Sequence, residues 1–260
     1  MSVADLFPEY PRIELREPPL ELVVCQVQFP PVFALTTQPP SDFQTLVAKE
    51  YPIGGQVEDV MELQAATGQK FATRLGGAWS FQDKDSLWTV TLNPNFLALE
   101  AKRYRNFAEF KSRFASVLGH ARSVYPIELR TRLGLRYVDR LSQRKHPKLP
   151  EDFASRTNAQ IIPLRELASA EGPTMSSLES RFSVGNRILT IRSIYAESGF
   201  PGVRATELIL DFDCSSQERR GLDDVQEELA EFRDVCYRAF RWSMSGLVDH
   251  FEPVEGTVPV

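Results

Sequence analysis

The chain passes twice through the same order of elements, and this order constrains its fold more than any other feature. Each pass has a strand, a helical or loop segment, several further strands and a closing amphipathic helix. In the first pass, strands are predicted at residues 21–29, about 58–66, 70–82, 86–92 and 96–103. A helix is predicted at 41–51, followed by a turn at Gly54 and Gly55. Asn106 and Glu109 form a capping box, which marks the start of the closing helix.

The second pass begins with IELRTRLGLRYVDR, residues 127–140, in which apolar and basic side chains alternate as in a strand with one buried face. Residues 141–173 are predicted to be mostly loop. Three strands are predicted at about 174–183, 187–196 and 204–213, followed by a long helix at about 221–243. Apolar residues recur along this helix at the 3.6-residue period, so it too needs an apolar surface to pack on.

Together these elements predict an α+β fold, with a mainly antiparallel, curved sheet and two amphipathic helices packed on one face. The two passes even begin alike, with PPLELVV at residues 18–24 and YPIELRT at residues 125–131. The order resembles an internally duplicated saddle like that of TATA-binding-protein-like domains, in which two halves share one sheet. This is an analogy of architecture and not of function. An undivided α+β domain is the alternative.

The same pattern predicts how the chain is divided. Residues 1–20 are rich in proline and lack periodicity, so they are expected to form an extended arm. The first α+β half is expected at 21–125 and the second at 126–243, with a loosely held tail at 244–260. The two halves are expected to form one continuous domain.

No apolar run approaches the roughly 18–20 residues that a membrane-spanning helix needs. The amino terminus, MSVADLFPEYPRIELREPP, has acids and prolines where a signal peptide has a basic and then an apolar segment. We therefore expect a cytoplasmic protein without a membrane partner.

Cysteine and histidine are too few and too scattered to indicate a metal or catalytic site. The three cysteines, Cys25, Cys214 and Cys236, form no CxxC motif, and the sequence has only three histidines. No GxSxG, GxGxxG or GxxxxGK[ST] motif is present, so no nucleophile elbow or phosphate loop is indicated. The sequence therefore predicts no catalytic residue, no metal ligand and no cofactor. Catalysis by a cysteine or serine with a histidine that is distant in sequence stays open, but no local motif supports it.

Charge is distributed unevenly along the chain. The net charge is −5, yet residues 101–150 hold 13 basic and only 3 acidic residues, between acidic flanks. The most informative basic residues are Arg130, Arg132, Arg136 and Arg140, which the alternation of strand 127–140 places on one face. Guanidinium groups this close repel one another unless anions lie among them.

Two sources of anions are open. The anions can be internal, since Glu207, Asp211 and Asp213 share one face of strand 204–213, and strand 58–66 offers Glu58 and Glu62. They can also be external, as phosphates of a nucleic acid or nucleotide, or as an acidic protein surface. Asp211 and Asp213 together also allow a magnesium site, but a solvated strand face is the favoured interpretation because no third carboxylate has a diagnostic spacing.

Three segments resemble a family of uncharacterised prokaryotic proteins of about 250–270 residues that is distributed sporadically among bacteria. They are PPLELVVCQVQFPP, WTVTLNPNFLALEAKRYRNFAEFKSRF and RTRLGLRYVDRL, and they cover much of residues 18–142. The resemblance implies an association with defence or toxin–antitoxin loci. It implies no catalytic residues.

We therefore expect a non-enzymatic protein-binding adaptor, antitoxin or defence-system subunit. Its expected partner is another protein, encoded nearby, or a second copy of itself. The alternative is a protein that binds nucleic acid or nucleotide through an arginine-lined sheet face at Arg130, Arg132, Arg136 and Arg140. A hydrolase or nuclease without a familiar motif is a third possibility.

Overall fold

One antiparallel sheet of nine strands organises the molecule. The computed structural model describes residues 3–57, 61–64, 70–73, 77–165, 173–200 and 203–254. The strands in these ranges are β1 (Leu20–Gln28), β2 (Ile53–Val57), β3 (Met61–Gln64), β4 (Lys70–Thr73), β5 (Ala78–Gln82), β6 (Trp88–Asn93), β7 (Phe96–Ala101), β8 (Arg132–Ser142), β9 (Met175–Val184), β10 (Arg187–Phe200) and β11 (Val203–Ser216). The sheet order is β2-β5-β6-β7-β1-β8-β11-β10-β9, and β3 pairs with β4 in a separate hairpin.

Two long helices and several short ones accompany the sheet. The α-helices in the described ranges are α1 (Ala34–Thr37), α2 (Ser41–Val47), α3 (Phe107–Val124) and α4 (Val225–Met244). Within the same ranges, three short 3-10 helices lie at Val3–Leu6, Phe153–Arg156 and Ser245–Phe251. None of the helices in the described part of the chain combines the length and the apolarity that crossing a bilayer requires.

Four strands on each side of the centre of the sheet follow the same order, and β2 adds a fifth strand to the first half. In the first half, the first strand, β1, pairs with the last strand, β7. In the second half, the first strand, β8, pairs with the last strand, β11. The two first strands then pair with each other at the centre. The α+β prediction is confirmed, and this order agrees with the saddle interpretation, in which two similar halves share one sheet.

The core lies between the sheet and the two long helices. Val23, Cys25 and Val27 alternate along β1 and are fully buried, because they face the layer that holds α3 and α4. The helices contribute the apolar stripes that their periodicity predicts. The main buried residues are Phe110, Phe114 and Val117 from α3, and Leu229, Phe232 and Cys236 from α4. We call the opposite face of the sheet, away from α3 and α4, the underside.

The amino-terminal arm and the segment after α4 pack together. In the arm, Arg12 forms an ion pair of 2.6 Å with Asp234, on α4. Farther along the arm, Leu15 forms a β-bridge with Pro253, near the end of the described chain. Leu247, Val248 and Phe251 are buried, so the tail is held firmly as far as Val254 and is not loose in this part.

Some local predictions are corrected by the structure. Gly54 and Gly55, expected in a turn after a helix, lie in β2. The strand predicted at 127–140 begins only at Arg132, because Arg130 exchanges backbone hydrogen bonds with Arg220 outside the sheet. The helix predicted at 41–51 ends at Val47. Parts of the predicted strands 58–66 and 70–82 lie outside the described residues.

The predicted capping of α3 by Asn106 is confirmed and yields a test, whereas the carboxylate of Glu109 accepts hydrogen bonds from Arg113. The side chain of Asn106 accepts a hydrogen bond of 2.9 Å from the backbone amide of Glu109, which would otherwise be unpaired. We expect Asn106→Ala to lower the free energy of unfolding by about 1 kcal/mol, measured by urea denaturation. Gln160→Ala, at an exposed site, serves as the control and should change it by less than about 0.5 kcal/mol. Equal effects of the two variants would contradict the capping role.

Candidate functional site: the arginine-lined underside

The candidate site lies at the centre of the underside, on β8. This strand is flanked by β1 on one side and β11 on the other. Its odd-numbered residues Leu133 and Leu135 are fully buried toward the helices, so its even-numbered residues face the underside. Arg132, Arg136 and Arg140 are therefore brought to one face, as the alternation predicts.

Arg136 is held by the most buried carboxylate of the underside. Its Nε and Nη2 each donate a hydrogen bond of 2.7 Å to one of the two carboxylate oxygens of Asp211. This is the paired geometry in which a guanidinium and a carboxylate interact most strongly. The side chain of Asp211 is only 7% exposed, so water competes little for these bonds.

Asp211 also belongs to a row that crosses the sheet. Arg192 on β10 stands directly opposite Asp211 on β11 and opposite Glu179 on β9. The Nη1 of Arg192 lies 3.2 Å from Asp211, and its Nε lies 2.8 Å from Glu179. The register of β9, β10 and β11 thus produces a continuous chain of alternating charges, which Arg136 extends to β8.

Arg132 has looser contacts. Its Nη2 lies 3.3 Å from both carboxylate oxygens of Asp213, and its Nη1 donates to the side-chain oxygen of Gln26 at 3.2 Å. The guanidinium lies flat over Gly134, where an added Cβ would come within 2.5 Å of Nη1. The absence of a side chain at Gly134 therefore sets the position of Arg132.

Arg140 bridges two carboxylates from two neighbouring segments. Its Nε lies 2.6 Å from Glu21, and its Nη1 lies 2.8 Å from Glu207. Glu21 also forms an ion pair with Lys145. Burial by itself would raise the pKa of Glu21, but the hydrogen bonds from Lys145 and Arg140 hold that pKa below its usual value. Glu21 is consequently ionised at neutral pH and serves both cations.

Arg130 departs from the predicted row. It lies outside β8, is only 1% exposed, and is directed toward the beginning of α4. Its Nη2 lies 3.1 Å from Asp224 and also forms an ion pair with Glu228. The predicted row of four arginines is therefore a row of three, because the alternation does not continue across the break in pairing before Arg132.

Each of the four arginines thus contacts carboxylates of the same chain. Glu207, Asp211 and Asp213 are three of the internal anions that the sequence offered, whereas the side chains of Glu58 and Glu62 lie outside the described residues. The geometry favours internal neutralisation over an external anion at this face.

The three cysteine thiols and the carboxylates of Asp211 and Asp213 have the surroundings of residues that stabilise the fold. Burial raises the pKa of the Cys25, Cys214 and Cys236 thiols, whereas a nucleophilic cysteine needs a lowered pKa. Asp211 and Asp213 contact arginines, and no cluster of three or more potential metal-ligating side chains occurs in the described ranges. These contacts give none of the five residues a catalytic surrounding.

The aromatic residues of the segments that carry the family resemblance meet inside the molecule. Tyr104 packs edge-on against Tyr137 with ring centroids 5.9 Å apart, and Trp88 packs against Phe110 at the same distance. Burial raises the pKa of Tyr137 well above its usual value. These residues join α3 to the centre of the sheet and do not form a binding surface.

Comparison with known proteins adds little to this picture. No family model matches the chain, and no curated protein is similar enough to count as a relative. Among solved structures, DynU16, a protein of the dynemicin biosynthetic locus, aligns with 14% identity over 86% of this chain and 97% of its own, with a TM-score of 0.18. The di-domain ARO/CYC protein StfQ from the steffimycin biosynthetic pathway aligns with 8% identity over 85% and 91%, with a TM-score of 0.13. Structural similarity this low supports no inference about fold or function.

Proposed function

We propose that the protein is a non-enzymatic protein-binding adaptor whose partner docks on the underside of the sheet. The observation that carries this proposal is the charge balance of the underside. The central arginines of this face pair with carboxylates of the same chain, so the centre of the underside offers hydrogen-bonding groups with cations and carboxylates in balance. These arginines are Arg132, Arg136, Arg140 and Arg192. Such a surface suits a polar, nearly neutral protein surface better than a polyanion.

The two halves of the underside differ in polarity. The second half holds the ion pairs described above. In the first half, the strands β5, β6 and β1 present uncharged polar side chains on the same face, beside Glu100 of β7, whose pKa is raised by burial. The half-buried uncharged residues are Ser80, Gln82, Thr89, Thr91, Gln26 and Gln28. The ion pairs already hold the side chains of the second half in place. A partner that binds there would therefore cost little additional side-chain entropy.

The identity of the partner follows from the family resemblance alone. In our proposal it is a protein encoded nearby, and the chain acts as an antitoxin or as a subunit of a defence system. Binding of this kind leaves the chain itself without a catalytic role.

Co-purification with the products of neighbouring genes tests the proposal. We expect Thr91→Arg, a bulky charged change on the underside, to weaken partner binding at least about tenfold, measured by biolayer interferometry. Ser112→Arg is the matched control, since Ser112 lies on the exposed side of α3. Binding that is equally strong in both variants, or the lack of a complex with any neighbouring product, would overturn the proposal.

A direct measurement separates this function from nucleic-acid binding. A phosphate backbone would have to displace Asp211, Asp213 and Glu207 from their arginines, so we expect no appreciable affinity for single- or double-stranded oligonucleotides. Fluorescence anisotropy between about 50 and 200 mM salt provides the measurement. Affinity that falls steeply with salt, and that is lost in Arg136→Glu, would favour the nucleic-acid alternative.

A further inference from the structure

The strand β9 leaves an open edge at one end of the sheet. It pairs with β10 from Met175 to Val184 without a register shift, and no other strand in the described ranges pairs with its outer side. Open edges of soluble proteins are usually protected by proline, lysine or a bulge. The sequence of β9, MSSLESRFSV, contains neither proline nor lysine. Among the residues that the structure describes, this edge is therefore left unpaired.

The sequence of β9 is complementary to itself when two copies run antiparallel with Ser180 at the centre. A residue that precedes Ser180 in one copy then lies opposite the residue that follows Ser180 at the same distance in the other copy. The two opposed residues share a face of the combined sheet. On the underside, Glu179 of one copy lies opposite Arg181 of the other, and this pair occurs twice. On the face toward the helices, Leu178 lies opposite Phe182, again twice. Ser177 lies opposite Ser183.

We propose that two copies of the chain associate through their β9 edges, about a twofold axis at Ser180, so that the two sheets become one. The exposed groups of the edge support a second copy as the occupant. Phe182 is 37% exposed, which is unusual for a phenylalanine on the face that carries the core, and Leu178 of the other copy would cover it. Arg181 is exposed and has no ion pair among the described residues, and Glu179 of the other copy would supply one.

Other registers lack this complementarity. A shift that keeps the faces aligned moves the centre by one residue, to Glu179 or to Arg181. Two glutamates or two arginines would then lie directly opposite each other, and like charges in that position destabilise a strand pair. The side chain of Glu179 is 58% exposed while it contacts Arg192, so it can accept a second cation from the other copy.

Disulfide trapping tests the register. Opposed residues at an antiparallel pair have Cα atoms about 4.5–5.5 Å apart, which a disulfide can bridge. Only residue 180 meets its own counterpart, so we expect Ser180→Cys to form a covalent dimer under mild oxidation, seen on a non-reducing gel. Ser176→Cys and Ser183→Cys are matched controls on the same strand and should not form the covalent dimer, because neither residue lies opposite its own counterpart. The native cysteines are buried and should not interfere.

Charge reversal tests the contacts. We expect Arg181→Glu to weaken self-association at least about tenfold in sedimentation velocity, because it places two acidic groups opposite each other twice. Combining Arg181→Glu with Glu179→Arg places opposite charges across the axis again and should restore part of the association. The restoration is only partial because the second change also removes the contact of Glu179 with Arg192. Arg144→Glu, at an exposed site away from β9, is the control and should have no effect.

Three results would overturn the proposal. The first is a monomer at chain concentrations of about 100 µM, where even weak edge-to-edge contacts of micromolar affinity are populated. The second is a dimer that is insensitive to Arg181→Glu. The third is equal cross-linking at positions 176, 180 and 183. None of these results depends on whether a partner docks on the underside, since β9 is at the far edge of the sheet.

Discussion

Replacing Arg130 by methionine is expected to lower the free energy of unfolding by about 3 kcal/mol, the largest loss among the four arginines. Arg130 is 1% exposed, and its partner Glu228 is 3% exposed. Methionine fills a similar volume but removes the positive charge, so the buried Glu228 loses a cation that water can hardly replace. Asp224 is 29% exposed and still contacts Arg220, so it contributes less to the loss. Arg187 still contacts Glu228, which keeps the loss below that of a fully unpaired charge.

Arg132→Met provides the comparison for this prediction. The side chain of Arg132 is 19% exposed and its contacts with Asp213 are 3.3 Å long, so water can replace much of what is lost. We expect a loss of less than about 1 kcal/mol, as for other partly exposed ion pairs. Both variants can be measured by urea denaturation followed by circular dichroism. Losses of the same size in the two variants would contradict the distinction between the buried and the open arginine.

Replacing Asp139 by asparagine is expected to stabilise the protein, increasingly so as the pH rises. Asp139 is on the face of β8 that is directed toward the core and is 4% exposed. Burial, with a smaller contribution from the negative charge of Asp211, raises its pKa from 3.8 to about 8. The folded protein therefore keeps a proton that the unfolded chain releases near pH 4.

The sign of the pH dependence follows from this difference. Between about pH 4 and pH 8, the unfolded state binds fewer protons than the folded state at this residue, so stability falls as the pH rises. Asparagine has nearly the same shape and cannot ionise. We expect the variant and the parent to be about equally stable at pH 4, and the variant to be more stable by roughly 3 kcal/mol or more at pH 8.

Thermal unfolding followed by circular dichroism at several pH values measures this difference. Asp85→Asn is the matched control, because Asp85 is an exposed turn residue between β5 and β6. Its stability curve should run parallel to that of the parent at all pH values. A constant difference between Asp139→Asn and the parent from pH 4 to pH 8 would show that Asp139 keeps its charge in the folded protein.

Much of the candidate site could be predicted because the two-residue period of a strand is local information. The alternation in 204–213 placed Glu207, Asp211 and Asp213 on one face before any pairing was known, and these residues are partners of the arginines. The identity of the neighbouring strands is not local. The contributions of Glu21 and Arg192 therefore escaped prediction, since they depend on β1 and β10 meeting β8 and β11.

The failures have equally specific causes. Arg130 was assigned to the row because a periodic pattern shows no sign of the point at which the chain leaves the sheet. Gly54 and Gly55 were assigned to a turn because glycine pairs usually mark one, whereas here they lie in an edge strand. Asp139 could have been found, because it occupies an odd-numbered position among Leu133, Leu135 and Leu141, all of which are buried.

The crosswise chain from Glu179 through Arg192 and Asp211 to Arg136 has a consequence for how these positions tolerate change. Each inner member neutralises two neighbours, so the loss of Asp211 would leave Arg136 and Arg192 side by side without the carboxylate that lies between them. A substitution of Asp211 on β11 therefore changes which side chains are tolerated at positions 136 and 192, on the two neighbouring strands. In related sequences, these four positions should therefore change together or remain unchanged together.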